Sequence, residues 1–243
     1  MNEGIGLLKS RRSIRAFQPA AVPGEHIAEA IAAGQMASTS SAVQAYGALH
    51  ITDPAKRAEI AELSGPQPKI VECGAFFVFF GDTRRHRLAA ARDGNPYDAR
   101  LEAFLVAAID CSLFAEKAVI AFESMGYGIC YIGGIRNDLP RLDRLLNLPE
   151  GVYPYYGLCV GVPAEDPTPR PRLPIDSVLF ENGYPIDDAM LAKLKDYDDG
   201  YERYRVERGS DPARWSEIMG AKYQESRREV LAEYFAGKGA RLD

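Results

Sequence analysis

The sequence has few of the residues on which metal and hydrolytic chemistry depend. Its 243 residues include three histidines and four cysteines. The cysteines are scattered singly, without a C-x-x-C pair, and the histidines lack the i, i+4 spacing of a helical metal site. A G-x-S-x-G nucleophile turn is also absent. We therefore expect no metal site and no histidine-dependent nucleophile, and we expect buried thiols at Cys73, Cys111, Cys130 and Cys159.

Long apolar runs and a basic surplus are missing as well. The longest apolar stretch near the start is Gly4 to Leu8, short of the roughly 15 residues of a signal peptide, and no stretch approaches the about 20 residues of a membrane span. Lysine and arginine number 29 against 34 for aspartate and glutamate, a net charge of −5. Non-specific nucleic-acid binding needs the opposite sign. The sequence thus predicts a soluble cytoplasmic protein that binds neither membrane nor nucleic acid.

The apolar residues that are present follow the patterns of a mixed fold. Ala75 to Gly81 and Tyr155 to Val162 are continuous apolar runs, which predict buried strands. Asp98 to Met125 contains no glycine or proline and predicts one helix about 40 Å long at about 1.5 Å per residue. Its apolar surface is wide enough to pack on more than one sheet, which favours a subunit interface.

The C-terminal part is more polar. Pro163 to Pro174 is the one linker-like stretch, and helices are predicted from Asp187 to about Glu207 and from Ser226 to Gly237. The chain beyond this linker is too polar to form its own core. We therefore predict a single α+β domain over residues 1–243, in which residues 163–243 form a connector and a C-terminal helical extension that wraps over itself or a partner.

The strongest chemical signal is the basic cluster Arg11-Arg12-Ser13-Ile14-Arg15, directly after the first predicted helix. Guanidinium groups present paired donors that match phosphate oxygens, so the cluster suits a phosphate monoester. A solvated basic turn fits the spacing equally well. Arg170-Pro171-Arg172 is a second basic pair, on a backbone stiffened by proline. Arg84-Arg85-His86-Arg87 is more typical of a solvated helix face.

Three weaker patterns supply polar groups at turns. The run Ser38-Thr39-Ser40-Ser41 offers small donors or simply ends a helix, and Gln67-Pro68-Lys69 puts an amide and an ammonium on a stiff loop. Gly133-Gly134 lets backbone N–H groups approach a planar ligand, or makes a plain tight turn. A G-x-G-x-x-G motif between strand and helix is absent, so a Rossmann site is not supported.

In combination, these motifs resemble the nitroreductase superfamily. They follow the family's order from about residue 5 to the end of the sequence. The branch that they resemble is the NADPH-dependent, oxygen-insensitive nitroreductases and flavin reductases. The segments that carry the resemblance are RRSIRAF at 11–17, the S-T-S-S run, Gln67 with Lys69, YIGGIRN at 131–137, LCVGVP at 158–163 with PRPRLP at 169–174, and ERGS at 207–210.

The resemblance implies a fold and a cofactor. The implied fold is a three-layer α-β-α sandwich with a mostly antiparallel central sheet, a long central helix, a C-terminal helical extension and an intertwined homodimer. The implied cofactor is a tightly bound FMN. Its phosphate and ribityl chain would be held by Arg11, Arg12, Ser13, Ile14, Arg15, Arg170, Pro171 and Arg172.

The flavin ring would be contacted by three further groups of residues. The polar pyrimidine edge would meet Gln67, Pro68 and Lys69. The ring would be lined by Tyr131, Ile132, Gly133 and Gly134, with a backbone N–H reaching N5. Contacts from the partner subunit would come from Ser38, Thr39 and Ser41.

The resemblance also implies an activity. Arg208 matches the arginine that binds the 2′-phosphate of NADPH in this branch, and Arg214 is a candidate for a second such contact. Hydride would pass from NADPH through flavin N5 to nitroaromatics, quinones or similar flat acceptors in a ping-pong cycle that needs no catalytic side chain. Two alternatives stay open: an NADPH-flavin reductase whose acceptor is free FMN, and a non-catalytic flavin-binding protein.

Overall fold

A computed structural model describes residues 2–98 and 100–241. Within those residues, four strands form one antiparallel sheet in the order β1-β2-β4-β3. The two apolar runs form the two middle strands, as expected for strands whose side chains are buried on both faces of a sheet. The strands are β1 (Tyr46–His50), β2 (Ala75–Asp82), β3 (Gly128–Ile132) and β4 (Val152–Gly161).

Helices account for most of the remaining described chain. In chain order they are α1 (Glu3–Ser10), α2 (Gly24–Gln35), α3 (Pro54–Leu63), α4 (Lys69–Glu72), α5 (Arg84–Arg92), α6 (Leu101–Ser124), α7 (Leu139–Leu146), α8 (Asp187–Glu207), α9 (Trp215–Lys222) and α10 (Leu231–Gly237). Short 3-10 turns occupy Ser40–Ala42, Gly133–Asn137 and Ile175–Ser177.

The long helix α6 is the central helix that the sequence predicts. Its 24 residues span about 36 Å. Phe114 and Phe122 on its buried face lie against the sheet, with ring centroids 5.5 Å from Phe79 and 6.0 Å from Phe77, respectively. The helix starts at Leu101 rather than at 98, because Arg100 has an extended backbone and forms the cap. These contacts place one helical layer directly on the sheet.

Strand β4 starts at Val152, three residues before the predicted Tyr155. A strand that includes Pro154 is not expected from the sequence, because proline has no N–H to donate to a neighbouring strand. The register shifts between Phe79 and Phe80, which pair with Tyr156 and Pro154. This β-bulge accommodates the proline within a central strand.

The C-terminal prediction needs one correction. Helix α8 has the predicted bounds, but the last helix starts at Leu231 rather than at 226. Arg228 has a left-handed φ of 58°, which a helix cannot include. The short helix α9 was not expected from the sequence.

Residue contacts divide the chain into two compact units. One contains the residues up to Pro167 and from Arg228 onward, and it holds the sheet. The other, Thr168–Arg227, holds α8 and α9. The assignment of residues 1–243 to a single domain stays a prediction.

Two further findings concern sites and surfaces. All four cysteines are buried and none is in a disulfide within the described residues, which confirms the expected burial of the thiols. In the described part of the chain, no helix has the length and apolar content to cross a membrane, and no group of three or more histidine, cysteine or acidic side chains is placed to hold a metal ion.

Candidate functional site

The basic segment 11–15 lies along the free edge of β3. Ser13 forms a parallel bridge with Ile129, and the Ile14 N–H donates to the Ile129 carbonyl at 2.9 Å. Ile14 is buried, and its side chain fills the space above Gly128, where an added Cβ would lie 2.6 Å from Ile14 Cγ1. The apolar Ile14 thus anchors the segment, and its polar neighbours remain outside the core.

A cavity of about 620 Å³ opens beside this segment. Arg11 and Arg12 lie in its wall, together with Glu123 from the end of α6 and the acidic pair Glu165 and Asp166. Arg11 Nε is 3.9 Å from the Glu123 carboxylate, and Arg12 forms an ion pair with Asp166. The cavity therefore carries charges of both signs, with two guanidinium groups on one side.

Arg12 shows that this wall has unused donor capacity. One Nη donates to the Ser10 carbonyl at 2.9 Å and the other pairs with Asp166. Its Nε is buried and has no hydrogen-bond partner among the described residues. An unpaired buried donor is costly. An anion with several oxygen acceptors, such as a phosphate, fits this donor set.

Cations from two distant parts of the sequence act electrostatically on one cysteine of β3, Cys130. Burial raises the pKa of the Cys130 thiol, and positive charges on Arg15, Lys69 and Arg11 oppose that rise. The structure thus brings the 11–15 segment and Lys69 within electrostatic reach of one point on the sheet. Linear spacing alone does not predict this convergence.

The loop before α4 holds its two polar side chains together. Lys69 Nζ donates to Gln67 Oε1 at 2.5 Å, and Gln67 Nε2 donates to the Gly65 carbonyl at 3.0 Å. Pro68 directly precedes the first residue of α4. N–H groups at the start of a helix have no partner within the helix, so the N–H that proline lacks costs α4 no hydrogen bond. Gln67 and Lys69 are half-buried, so their polar ends remain accessible to a ligand.

The two glycines after β3 have different surroundings. A Cβ at Gly134 would lie 2.3 Å from the Ser64 carbonyl oxygen, so only glycine fits there. At Gly133 the nearest atom would be an Arg136 guanidinium nitrogen at 3.3 Å. Tyr131 and Gly133 are partly exposed beside buried Ile132. The protein's own backbone thus makes the close contact at Gly134, whereas Gly133 leaves backbone open to a planar ligand beside the end of the Arg136 side chain.

The polar run Ser38-Thr39-Ser40-Ser41 forms a strained turn held by one carboxylate. Ser41, Ala42 and Gln44 have positive φ values of 46°, 58° and 51°, which are unfavourable for non-glycine residues. The buried Asp110 accepts from the Ser40 N–H at 3.2 Å and from the Ala45 N–H at 3.1 Å. Asp110 thereby bridges both ends of the turn.

The remaining predicted residues lie in the second unit. Arg170 and Arg172 are exposed, and the Pro171 carbonyl between them accepts from the Tyr197 hydroxyl at 3.1 Å. Arg208 caps the C-terminus of α8 and is exposed. Arg214 caps the N-terminus of α9, with one Nη 3.9 Å from Asp199.

Comparison with known proteins identifies the family. The model of the Nitroreductase family matches residues 8–162, and that of the Nitroreductase family, C-terminal domain, matches residues 170–243. This chain belongs to the nitroreductase family. The relationship confirms the superfamily and branch suggested by the sequence motifs.

Individual proteins match over nearly the whole chain. The protein is 39% identical over 245 residues to FMN reductase (NADPH) of Bacillus subtilis (strain 168), covering 98% of both. It is 40% identical over 236 residues to the CR(VI) reductase of Pseudomonas sp. (strain G-1), covering 96% of this chain and 97% of the other. The structure of NfrA1 nitroreductase from B. subtilis matches with a TM-score of 0.94 at 38% identity, covering 98% of both chains. The predicted α-β-α fold is thereby confirmed.

Three carboxylates beside the 11–15 segment were not expected from the sequence. Glu165 accepts from the Arg15 N–H at 2.5 Å and from the Ala16 N–H at 3.3 Å, which fixes the extended segment. Asp166 pairs with Arg12, and Glu123 lies beside Arg11. Two features of the sequence could have indicated them: an acidic pair just after β4, and a carboxylate at the end of an apolar helix.

Glu123 gives the site a pH dependence. Burial raises its pKa to about 7 from an ordinary 4.5, Arg11 and Arg12 oppose the rise, and Glu116 adds to it. Between those values the folded protein binds a proton that the unfolded chain releases, so stability falls as pH rises. We expect Glu123→Gln to remove this fall, measured as the melting temperature from about pH 5 to about pH 8. The exposed Glu29→Gln is the control, and parallel curves for Glu123→Gln and wild type would contradict this role.

Proposed function

We propose that this nitroreductase is an NADPH-dependent FMN oxidoreductase whose FMN phosphate binds at the 11–15 segment. The observation that carries the proposal is the cavity wall that holds Arg11 and Arg12, in which the buried Nε of Arg12 has no partner among the described residues. The name of the B. subtilis relative, FMN reductase (NADPH), supports the same cofactor and electron donor.

The residues present fit the parts of FMN in distinct ways. Arg11, Arg12 and Arg15 supply guanidinium donors for phosphate, and charge-assisted hydrogen bonds of this kind are the stronger ones. Lys69 places positive charge where the pyrimidine edge of the ring would lie, beside the Gln67 amide. Gly133 leaves backbone open to the ring, with only the end of the Arg136 side chain near it. FMN, when bound, supplies the redox chemistry that side chains lack.

The remaining predicted contacts stay part of the proposal. Thr39, with Ser38 and Ser41, would contact the flavin of the partner subunit, and the turn held by Asp110 fixes their backbone. The role of Arg170, Pro171 and Arg172 in holding the FMN phosphate stays a prediction from the sequence. Tyr131 and Ile132 line the ring beside Gly133.

We further propose nitroaromatics, quinones and similar flat electrophiles as acceptors. A site that recognises acceptors by apolar stacking discriminates weakly between related shapes. The relatives named FMN reductase and CR(VI) reductase add free flavin and chromate to the acceptors to be tested. Steady-state NADPH oxidation with a nitroaromatic, a quinone, free FMN and chromate, each at matched concentrations, tests the proposal. Preference for free FMN would favour the flavin-reductase alternative, and turnover with none would contradict an enzyme.

We propose that Arg208 gives the protein its preference for NADPH over NADH. Its exposed guanidinium at the end of α8 is free to meet a 2′-phosphate that NADH lacks. We expect Arg208→Ala to raise KM for NADPH by about 10- to 100-fold, because a charged hydrogen bond contributes about 1.5–3 kcal/mol, and to leave KM for NADH unchanged. The exposed Arg203→Ala on the same helix is the control. An equal effect of Arg208→Ala on both nucleotides would reject the role.

We propose that the chain forms a homodimer through the outer face of α6. Four apolar side chains at intervals of four residues are 39–56% exposed there: Leu101, Leu105, Ile109 and Leu113. One face of the helix is buried against the sheet, so this second apolar stripe suits a second copy of the chain.

A charge on that stripe should dissociate the dimer. We expect Leu105→Glu combined with Ile109→Glu to give a monomer, because each carboxylate would be buried without a partner at the interface. Light scattering coupled to size-exclusion chromatography measures the mass. Leu88→Glu, on an equally exposed leucine of α5, should remain dimeric. A double variant with the wild-type mass would show that this stripe is not the interface.

A further inference from the structure

The loop that carries Gln67 and Lys69 leads into a single helical turn that is too short to be stable alone. Helix α4 has four residues, Lys69–Glu72, and no side-chain cap at its start. Isolated helices shorter than about 12 residues are marginal in water. Contacts with the rest of the protein must therefore fix α4 and the two polar side chains at its start.

A guanidinium from α3 binds the C-terminal end of α4. Arg57 Nε donates to the Ile70 carbonyl at 2.8 Å, and its Nη2 donates to the Cys73 carbonyl at 2.5 Å. The last carbonyls of a helix have no partner within the helix, and a nearby arginine can supply the missing donor. One side chain thus holds two backbone carbonyls at this end of α4.

The charge of Arg57 is used for this contact rather than for an ion pair. Its side chain is half-buried, and it pairs with no acidic side chain in the part of the chain that the structure describes. A guanidinium stays charged in a protein and needs acceptors for its N–H groups. The carbonyls of Ile70 and Cys73 supply those acceptors.

Helix α3, which carries Arg57, is itself fixed in the core. Asp53 caps its start, and Ile60 and Leu63 are buried. The Ala61 carbonyl near its end accepts from the Gln67 N–H at 3.0 Å. Helix α3 therefore binds the loop at two places: through its backbone at the start of the loop, and through Arg57 at the end of α4.

We propose that Arg57 is a positioning residue for the cofactor: by fixing α4 to α3, it holds Gln67 and Lys69 where the pyrimidine edge of FMN would bind. This role rests on the proposed function, because it is there that the two side chains contact FMN. The attachment of α4 to α3 does not depend on the cofactor. Without Arg57, α4 keeps the buried Ile70 as its anchor, and the Lys69 ammonium is free to shift away from the ring.

Amide hydrogen exchange of the full-length protein, stripped of any bound cofactor, tests the first step. In Arg57→Gln the amides of residues 70–73 should exchange about tenfold faster than in wild type, whereas those of β2 should keep the wild-type rate. Arg57→Lys keeps a cationic donor and should lie between the two. Arg141→Gln is the matched control, because its guanidinium pairs with Glu59 and Glu62 on the same helix α3. Unchanged exchange in Arg57→Gln would overturn the proposal.

A mutant cycle tests whether Arg57 acts through the two polar side chains. Arg57→Gln alone should weaken FMN binding by about tenfold, and Arg141→Gln should bind as wild type does. In protein that already carries Gln67→Ala and Lys69→Ala, adding Arg57→Gln should weaken binding by less than about twofold. An equal loss in both backgrounds would mean that Arg57 acts without these side chains, and would overturn the proposal. A wild type that binds no FMN, yet shows the Arg57-dependent exchange, would refute the proposed function alone.

Discussion

Replacing Arg12 by alanine is expected to weaken FMN binding by about 10²–10⁴-fold, since two charged hydrogen bonds at about 1.5–3 kcal/mol each are lost and about 1.4 kcal/mol is tenfold. Arg12 lies in the cavity wall and carries a buried Nε that no other described residue satisfies. A phosphate oxygen is the acceptor that this atom lacks. The affinity is measured by titrating cofactor-free protein with FMN and following the quenching of flavin fluorescence.

Two variants serve as controls for Arg12. Arg12→Lys keeps the charge but loses the planar fork, so its affinity should lie between the alanine variant and wild type. Arg92→Ala removes an exposed arginine whose ion pair is with the adjacent Asp93, and it should bind FMN as wild type does. Equal affinity of Arg12→Ala and Arg92→Ala would mean that the phosphate binds elsewhere.

Replacing Asp110 by alanine is expected to destabilise the protein by about 2–4 kcal/mol, because the Ser40 and Ala45 N–H groups lose a buried acceptor. For a chain of this size the melting temperature should fall by about 2–4 °C for each kcal/mol. The turn with three positive φ values between these groups should then relax. Thermal unfolding followed by circular dichroism measures the loss.

Asparagine at the same position tests whether the charge and second oxygen of the carboxylate are needed, or only a side chain of that shape. Asp110→Asn keeps one acceptor and should lose about half as much stability as the alanine variant. Because the turn carries Ser38, Thr39 and Ser41, Asp110→Ala should also weaken FMN binding at temperatures where it is fully folded. A variant with wild-type stability and affinity would show that the turn holds its conformation without Asp110.

Features encoded by local pattern were predictable from the sequence. The uninterrupted apolar run of β2 and the glycine-free stretch of α6 have the expected bounds to within three residues. The bounds of α8 agree completely. The order of the motifs was sufficient to place the chain in its family, because several motifs in register are far more specific than one.

Features that depend on tertiary contacts were not predictable. The β-bulge next to Pro154 forms where β4 pairs with β2, and the left-handed Arg228 donates from its Nε to the Asn137 side chain, 91 residues away in sequence. Helix α9 begins where Asp198 accepts from the Ser216 N–H at 2.9 Å, a contact that spans 18 residues. A local pattern carries no information about such partners.

The same distinction applies to the site. The arginines of the 11–15 segment were recognisable by residue type, whereas Glu165 contacts the backbone of Arg15 from 150 residues away. Asp110 was visible only as a carboxylate within an apolar helix. Carboxylates that hold backbone in place leave no spacing signature, so only the folded chain reveals them.

The visible absorption spectrum of the purified protein, before and after NADPH is added without oxygen, tests the central claim most directly. A protein that holds FMN is yellow, with a band at about 450 nm that NADPH bleaches. We expect the wild type to show both, NADH to bleach more slowly, and Arg12→Ala to be purified largely without colour. A colourless wild-type protein that gains no band with added FMN, or a band that NADPH leaves unchanged, would contradict an NADPH-dependent FMN oxidoreductase.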